Sequence, residues 1–326
     1  MTRTRQTEDR YKRVANRLMA ASSRDLGCET SEITATTMAD WMIRHKAGWS
    51  PSTWRQYRAA LSFAFGSQIS ALLQQPDLPA SGKRGRRTSG QKEKRLPPAD
   101  LKTLLDHLLE RINATNNCHK DDLSPKSLAA LLLLCGTIAG LRPCEWPSVI
   151  LCPSSRQSDL LLKVANAKST NARSHGVFRE IELPDLSPSL RKLVLLLVST
   201  ARKTTADGTW DRRVASSGKA LYRTTRELWP HRKKHYTLYS PRHQAAANWK
   251  MILDKEQIAA LMGHASMETA TTHYGRRSAG RAQVLPGMAT VIGVPSEANL
   301  LAVRARQSST LPVEVSSHEP GFNGPN

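Results

Sequence analysis

The sequence predicts a mainly α protein with a small antiparallel β-sheet, divided into a helical N-terminal domain and a larger mixed α/β domain. Three observations carry this expectation. Apolar residues recur at helical spacing along most of the chain. Two short runs, 159–164 and 177–183, instead hold Leu, Val, Ile and Phe on either side of a polar turn, as two paired strands would. Between 76 and 98 the apolar period stops and Gly, Ser, Thr, Pro, Lys and Arg take over, which marks a linker. The expected organisation is a domain over 1–75, a basic flexible linker over 76–96, a second domain over 97–281 and a partly disordered tail over 282–326.

In the first domain Tyr11, Val14, Ala15, Leu18 and Met19 share one helix face. A second helix is expected over 37–46 with Met38, Trp41 and Met42 inward. Ser50-Pro51 is a helix start, a capping hydroxyl followed by proline at the first helical position. Trp54, Tyr57, Leu61 and Phe65 then fall on one face, and this spacing marks them as core. Arg55 and Arg58 lie off that face, where they serve either as phosphate contacts or as a solvated surface. In the linker, Lys83, Arg84, Arg86, Arg87, Lys92, Lys94 and Arg95 form a charge run. Such a run is a solvated tether or a tether that follows a phosphate backbone. Its place between two helical domains favours the second, with Lys83, Arg84, Arg86 and Arg87 as candidate phosphate contacts.

In the second domain Leu101, Leu104, Leu105, Leu108, Leu109 and Ile112 define an amphipathic helix. A largely apolar helix over 125–140 ends at Gly140 and delivers Arg142 just beyond it. The two strands bracket a turn that contains Lys168. Helices are expected over 186–200, 219–229, 257–262 and 296–304, with a loop over 204–218. The run 231–235 holds two histidines at i, i+4, but three cations between them and no acidic or cysteine partner argue against a metal site. Ser308 onward is rich in Ser, Pro and Gly and is expected to be disordered.

The formal net charge of +21 over 326 residues concerns partners rather than fold, and a polyanion, foremost nucleic acid, is the natural one. Five cysteines form no CxxC pair, which suits a reduced, cytoplasmic protein. Residues 1–13 are polar and basic, unlike a signal peptide, and the longest apolar run is too short to span a bilayer. There is no GxxxxGK[ST] loop and no convergent carboxylate cluster for magnesium, so no cofactor and no metal are expected.

Four motifs stand in order: Gly140-Leu141-Arg142-Pro143-Cys144-Glu145, Tyr239-Ser240-Pro241-Arg242, Gly263-His264 and His273-Tyr274. Together, over roughly Leu131 to Arg277, they resemble the catalytic half of the tyrosine recombinases, the phage-integrase family. The resemblance implies a helical core-binding domain ahead of a mixed α/β catalytic domain, double-stranded DNA as substrate and a homotetramer acting on two DNA sites. It implies a mobile-element recombinase that acts without ATP or metal. It assigns Arg142 and Arg242 as phosphate-binding arginines, with Glu145 orienting Arg142. His264 becomes a hydrogen-bond donor, Lys168 the general acid on the hairpin (Lys163 the lesser candidate) and Tyr274 the nucleophile.

Two departures from the family pattern stand out. Tyr239 occupies the position where histidine is usual, although a phenol still donates a hydrogen bond. The His264-to-Tyr274 spacing is one residue longer than usual, a slip worth about 100° on a continuous helix. The chemistry needs cations for the charge on the phosphate oxygens, and two guanidiniums, each offering a bidentate fork, suit that charge. Two other readings stay open at this point: a type IB topoisomerase, which shares the chemistry, and a DNA-binding protein of the same fold that has lost catalysis. Tyr239 is also the rival nucleophile.

Overall fold

The computed structural model describes residues 5–74, 91–109, 123–154, 159–167, 174–269 and 274–308. The chain is mainly α-helical with a small antiparallel sheet and forms two compact units, Met1–Gln91 and Lys92–Asn326.

The first unit holds α1 (Arg5–Leu26), α2 (Ala35–His45), α3 (Pro51–Phe65) and α4 (Ser67–Leu72). Ser50 caps α3 by accepting from the Thr53 N–H, with Pro51 at the first position, because this pair leaves the fewest helical donors unpaired. Met38, Met42, Leu61, Ile69 and Leu73 form the centre of its core.

The second unit is built around α6 (Pro125–Ala139), nearly every residue of which is buried. Around it pack α5 (Pro98–Leu109), α7 (Pro188–Ala206), α8 (Trp210–Leu228) and α9 (Ser240–Trp249). Along one side runs an antiparallel sheet with order β1 (Ile150–Cys152), β2 (Leu160–Ala165), β3 (Phe178–Leu183) and β6 (Val294–Pro295). In its register Leu162 faces Ile181 and Val164 faces Arg179. A two-stranded ribbon, β4 (Gln283–Leu285) with β5 (Met288–Ala289), and two helices, α10 (Lys255–Met262) and α11 (Glu297–Ser308), complete it.

Several expectations change. The loop expected over 204–218 is helical: α7 continues to Ala206 and α8 starts at Trp210, whose Nε1 donates to the Pro143 carbonyl at 3.2 Å. The buried face of α8 uses Ser217, Thr224 and Thr225, so its sequence looks polar although one side is packed. Val177 and Phe178 are exposed, and the inward phase of β3 is Arg179, Ile181 and Leu183. Leu109 is also exposed, while Leu101, Leu104, Leu105 and Leu108 are buried.

Both ends of the expected second domain extend further. At its start, the Glu93 N–H donates to His235 O at 2.8 Å, and the Leu96 N–H donates to Gln244 Oε1 at 2.8 Å. The last residues of the expected linker are thereby tied to this unit. After 281, β6 extends the sheet from β3, and α11 packs on α10 of the same chain through Val303, Ala259 and Ala260.

Candidate active site

The α-helix α6 ends because Gly140 adopts φ +65°, a conformation that costs other residues about 1–2 kcal/mol. A Cβ at Gly140 would also lie 2.5 Å from the Trp249 ring. The turn sends Arg142 into the interior, where a short 3₁₀ segment, Pro143–Ser148, brings Glu145 back beneath it. Glu145 Oε2 accepts the Arg142 N–H at 2.8 Å, and Glu145 Oε1 accepts from Arg142 Nη1.

From the other side, α9 supplies Arg242, fully buried. Its Nη1 donates to Gly140 O at 2.6 Å and its Nη2 to Met262 O at 2.7 Å. One N–H on each Nη of the guanidinium expected to hold a phosphate is therefore taken by a backbone carbonyl. The remaining Nε points at the Tyr274 phenol oxygen, 3.3 Å away. Arg142 Nη2 reaches the same oxygen at 3.4 Å. The two guanidiniums thus converge on the tyrosine oxygen from separations of 132 and 32 residues.

Tyr274 itself stands in irregular backbone just before the 3₁₀ turn Arg277–Ala279. Its backbone is fixed nearby: Lys250 Nζ donates to Gly275 O at 2.8 Å, and a Cβ at Gly275 would lie 2.5 Å from His243 O. The ring lies between two histidines, His243 and His264, each with ring centroids 5.1 Å away. His264 follows α10 at the left-handed Gly263 (φ +69°), and its N–H returns to Ala259 O at 2.9 Å.

The electrostatics follow from burial and these partners. Burial raises the Tyr274 pKa, but Arg242 and then Arg142 outweigh it, and the phenol lies below its ordinary value. Burial, then Arg242 and Arg142, pushes the His264 pKa far down, which favours the neutral imidazole. Glu145 is opposed by burial but held well below the carboxylate range by Arg179, Arg242 and Arg142.

Tyr239 immediately precedes α9 at its N-cap position and is 47% exposed. Burial of its inner part raises its pKa, with Cys144 adding to the shift and Arg142 opposing it. With Cys144, Trp210, Tyr222 and Leu238 it lines a cavity of about 300 Å³. Lys168 lies outside the described residues, as do Lys83, Arg84, Arg86 and Arg87. Lys163 is on the outer face of β2, 3.8 Å from Glu180. Arg55 is exposed and Arg58 half-buried on α3 of the first unit. In the basic run after α8, Arg232 donates to Asp100 at 2.7 Å, which leaves Lys233 and Lys234 as its exposed lysines.

Sequence reasoning missed two neighbours of the cluster, Arg179 and His243. Arg179 was legible as the charged residue in phase with Ile181 and Leu183, since alternate residues of a strand share a face. His243 follows Arg242 directly and carries no pattern of its own. Among the described residues, no group of three His, Cys, Asp or Glu side chains could hold a metal ion. Among those residues, too, no helix is long and apolar enough to cross a membrane.

No protein-family model matches the chain, and no curated protein matches it. Among solved structures it is similar to the XerH site-specific recombinase bound to its difH substrate in a pre-cleavage complex, at 16% identity. That likeness covers 75% of this chain and 68% of the other, with a TM-score of 0.38. The XerA recombinase gives 16% identity over 85% and 90% of the two chains and a TM-score of 0.33. The Tn1549 transposon integrase in complex with transposon right-end DNA gives 14% over 81% and 89%, with a TM-score of 0.39.

Proposed function

We infer that the chain is a site-specific DNA recombinase or integrase that cuts and rejoins DNA through a 3′-phosphotyrosine. The observation that supports this most is the convergence of Arg142 Nη2 and Arg242 Nε on the Tyr274 oxygen, at 3.4 and 3.3 Å. A phenol is a weak nucleophile at an ordinary pKa near 10. Two buried cations aimed at its oxygen favour the phenolate and also meet the negative charge that builds on a phosphate there.

In the proposed step the Tyr274 oxygen bonds to phosphorus, its proton passes to water, and the bond from phosphorus to the 5′ oxygen breaks. Lys168 gives that leaving oxygen its proton. Neutral His264 and the Tyr239 hydroxyl donate to the phosphate oxygens. Bond energy is kept in the tyrosyl ester, so rejoining is the reverse reaction and needs no ATP. The net charge of +21, with Arg55, Arg58 and the linker cations, suits a DNA duplex held through its phosphates. A homotetramer on two sites, in the cytoplasm, is part of this proposal. The two arginine contacts to the Tyr274 oxygen support this reading over a protein of the same fold that has lost catalysis.

The test is a nicked duplex from the DNA flanking the coding sequence, which loses a short fragment beyond the cut and traps the adduct. Tyr274→Phe removes only the attacking oxygen, so it should abolish the adduct and leave binding intact. An adduct that persists in Tyr274→Phe and maps to Tyr239 would reassign the nucleophile. No adduct with the wild type would refute the recombinase reading.

A further inference from the structure

Arg179 is fully buried at the inward phase of β3. Its Nη2 donates to Glu145 Oε2 at 2.8 Å and its Nη1 reaches Glu145 Oε1 at 3.4 Å, a forked contact. Nη1 also donates to Asn166 Oδ1 at 2.5 Å. Asn166 in turn closes the base of the hairpin turn, where its N–H donates to Val177 O at 2.8 Å and its Nδ2 to Gly176 O at 2.9 Å. The segment that carries His264 presses on the same pair: a Cβ at Gly263 would lie 2.2 Å from Asn166 Oδ1 and 3.1 Å from Arg179 Nη1. One guanidinium thus joins the carboxylate under Arg142, the base of the turn expected to carry Lys168, and the Gly263-His264 step.

The charge count explains what this contact does. Glu145 is shared by Arg142, Arg179 and Arg242, and its side chain has no exposure. Three guanidiniums against one carboxylate leave two net positive charges; without Arg179 only one would remain, and Glu145 would draw Arg142 and Arg242 away from Tyr274. A buried ion pair adds little net stability, because desolvation offsets much of the attraction and apolar side chains pack as well.

We propose that Arg179 is a positioning residue for strand cleavage, holding Glu145 so that Arg142 and Arg242 keep their charge directed at the phosphate. This rests on the recombinase reading above.

The test uses the full chain and the nicked duplex, with Arg179→Gln, Arg179→Lys and the double variant Glu145→Gln/Arg179→Gln. Adduct rate, duplex affinity and melting temperature are measured for each. Arg179→Gln should slow adduct formation by about 100-fold, the scale of one preorganised charge contact, with affinity changed by less than about threefold. In the double variant Arg142 and Arg242 again supply two net charges, so it should react at least about tenfold faster than Arg179→Gln, a coupling opposite to that of two independent losses.

A merely structural pair predicts that the double variant reacts no faster than the single one, and that result overturns the proposal. So does an Arg179→Gln variant that folds and cleaves like the wild type. If Arg179→Gln does not fold, Arg179→Lys decides. It keeps the charge without the fork and should retain the rate to within about tenfold, whereas a folded Arg179→Lys slowed by about 100-fold refutes the idea. Absence of an adduct in the wild type refutes the recombinase reading itself, and this inference with it.

Discussion

Arg142 and Arg242 converge on the same oxygen, yet their replacement by alanine should have different consequences. Arg242 is fully buried and is the partner of Gly140 O and Met262 O at 2.6 and 2.7 Å. Alanine leaves both carbonyls buried and unpaired, at about 1–3 kcal/mol each, or about 2–6 kcal/mol together. It also removes one of three cations around Glu145, which acts in the same direction. Against a total stability of about 5–15 kcal/mol this is a large fraction. At about 2–4 °C per kcal/mol for a unit of this size, the melting temperature should fall by roughly 5–20 °C.

Arg142 differs because, among the described residues, its side chain donates to Glu145 and Tyr274 alone, and Glu145 retains Arg179 and Arg242 when it is removed. Arg142→Ala should therefore melt within about 4 °C of the wild type, a loss of about 1 kcal/mol. Its cleavage rate should still fall by about 100-fold or more. Scanning calorimetry and urea titration of the two variants, with adduct rates measured alongside, decide the matter. An Arg242→Ala protein that melts with the wild type would refute the structural role given to its fork. Equal destabilisation by both changes would refute the asymmetry.

Two further outcomes follow from charge. His243 is lowered to about 4 from 6.5 by burial, then by Lys94, Arg242 and Lys250. Between those values the unfolded chain binds the proton and the folded chain does not, so the stability this group contributes is complete above pH 6.5 and is lost as pH falls towards 4. Melting temperatures from pH 7 to 4 should decline less steeply in His243→Gln, and an unchanged decline would remove His243 as a cause. In the linker, replacing Lys83, Arg84, Arg86 and Arg87 by alanine should flatten the salt dependence of DNA binding by up to about 0.9 in log–log slope for each phosphate that these side chains neutralise. A slope equal to the wild type in a salt titration would make these residues a solvated tether.

The sequence by itself determined the features that depend on near neighbours. Ser50-Pro51 starts α3, and Gly140 and Gly263 stop α6 and α10, because capping and left-handed backbone are settled within a few residues. The apolar period located the core of the first unit and the buried α6 for the same reason. Motif order also singled out Arg142, Arg242, His264 and Tyr274 without any knowledge of their geometry. Only the tertiary structure decided what each of them touches. That the two Nη groups of Arg242 donate to Gly140 O and Met262 O depends on three segments meeting, and no local pattern records it. The start of α8 at Trp210 depends on the Pro143 carbonyl 67 residues earlier. The short strands within 283–295, and the packing of the helix expected over 296–304, depend on the tertiary fold, because β3 offers β6 an edge and α10 offers α11 an apolar face. Arg179 is tolerated at the inward phase of a strand because Glu145 and Asn166, distant in sequence, supply partners for both of its Nη groups.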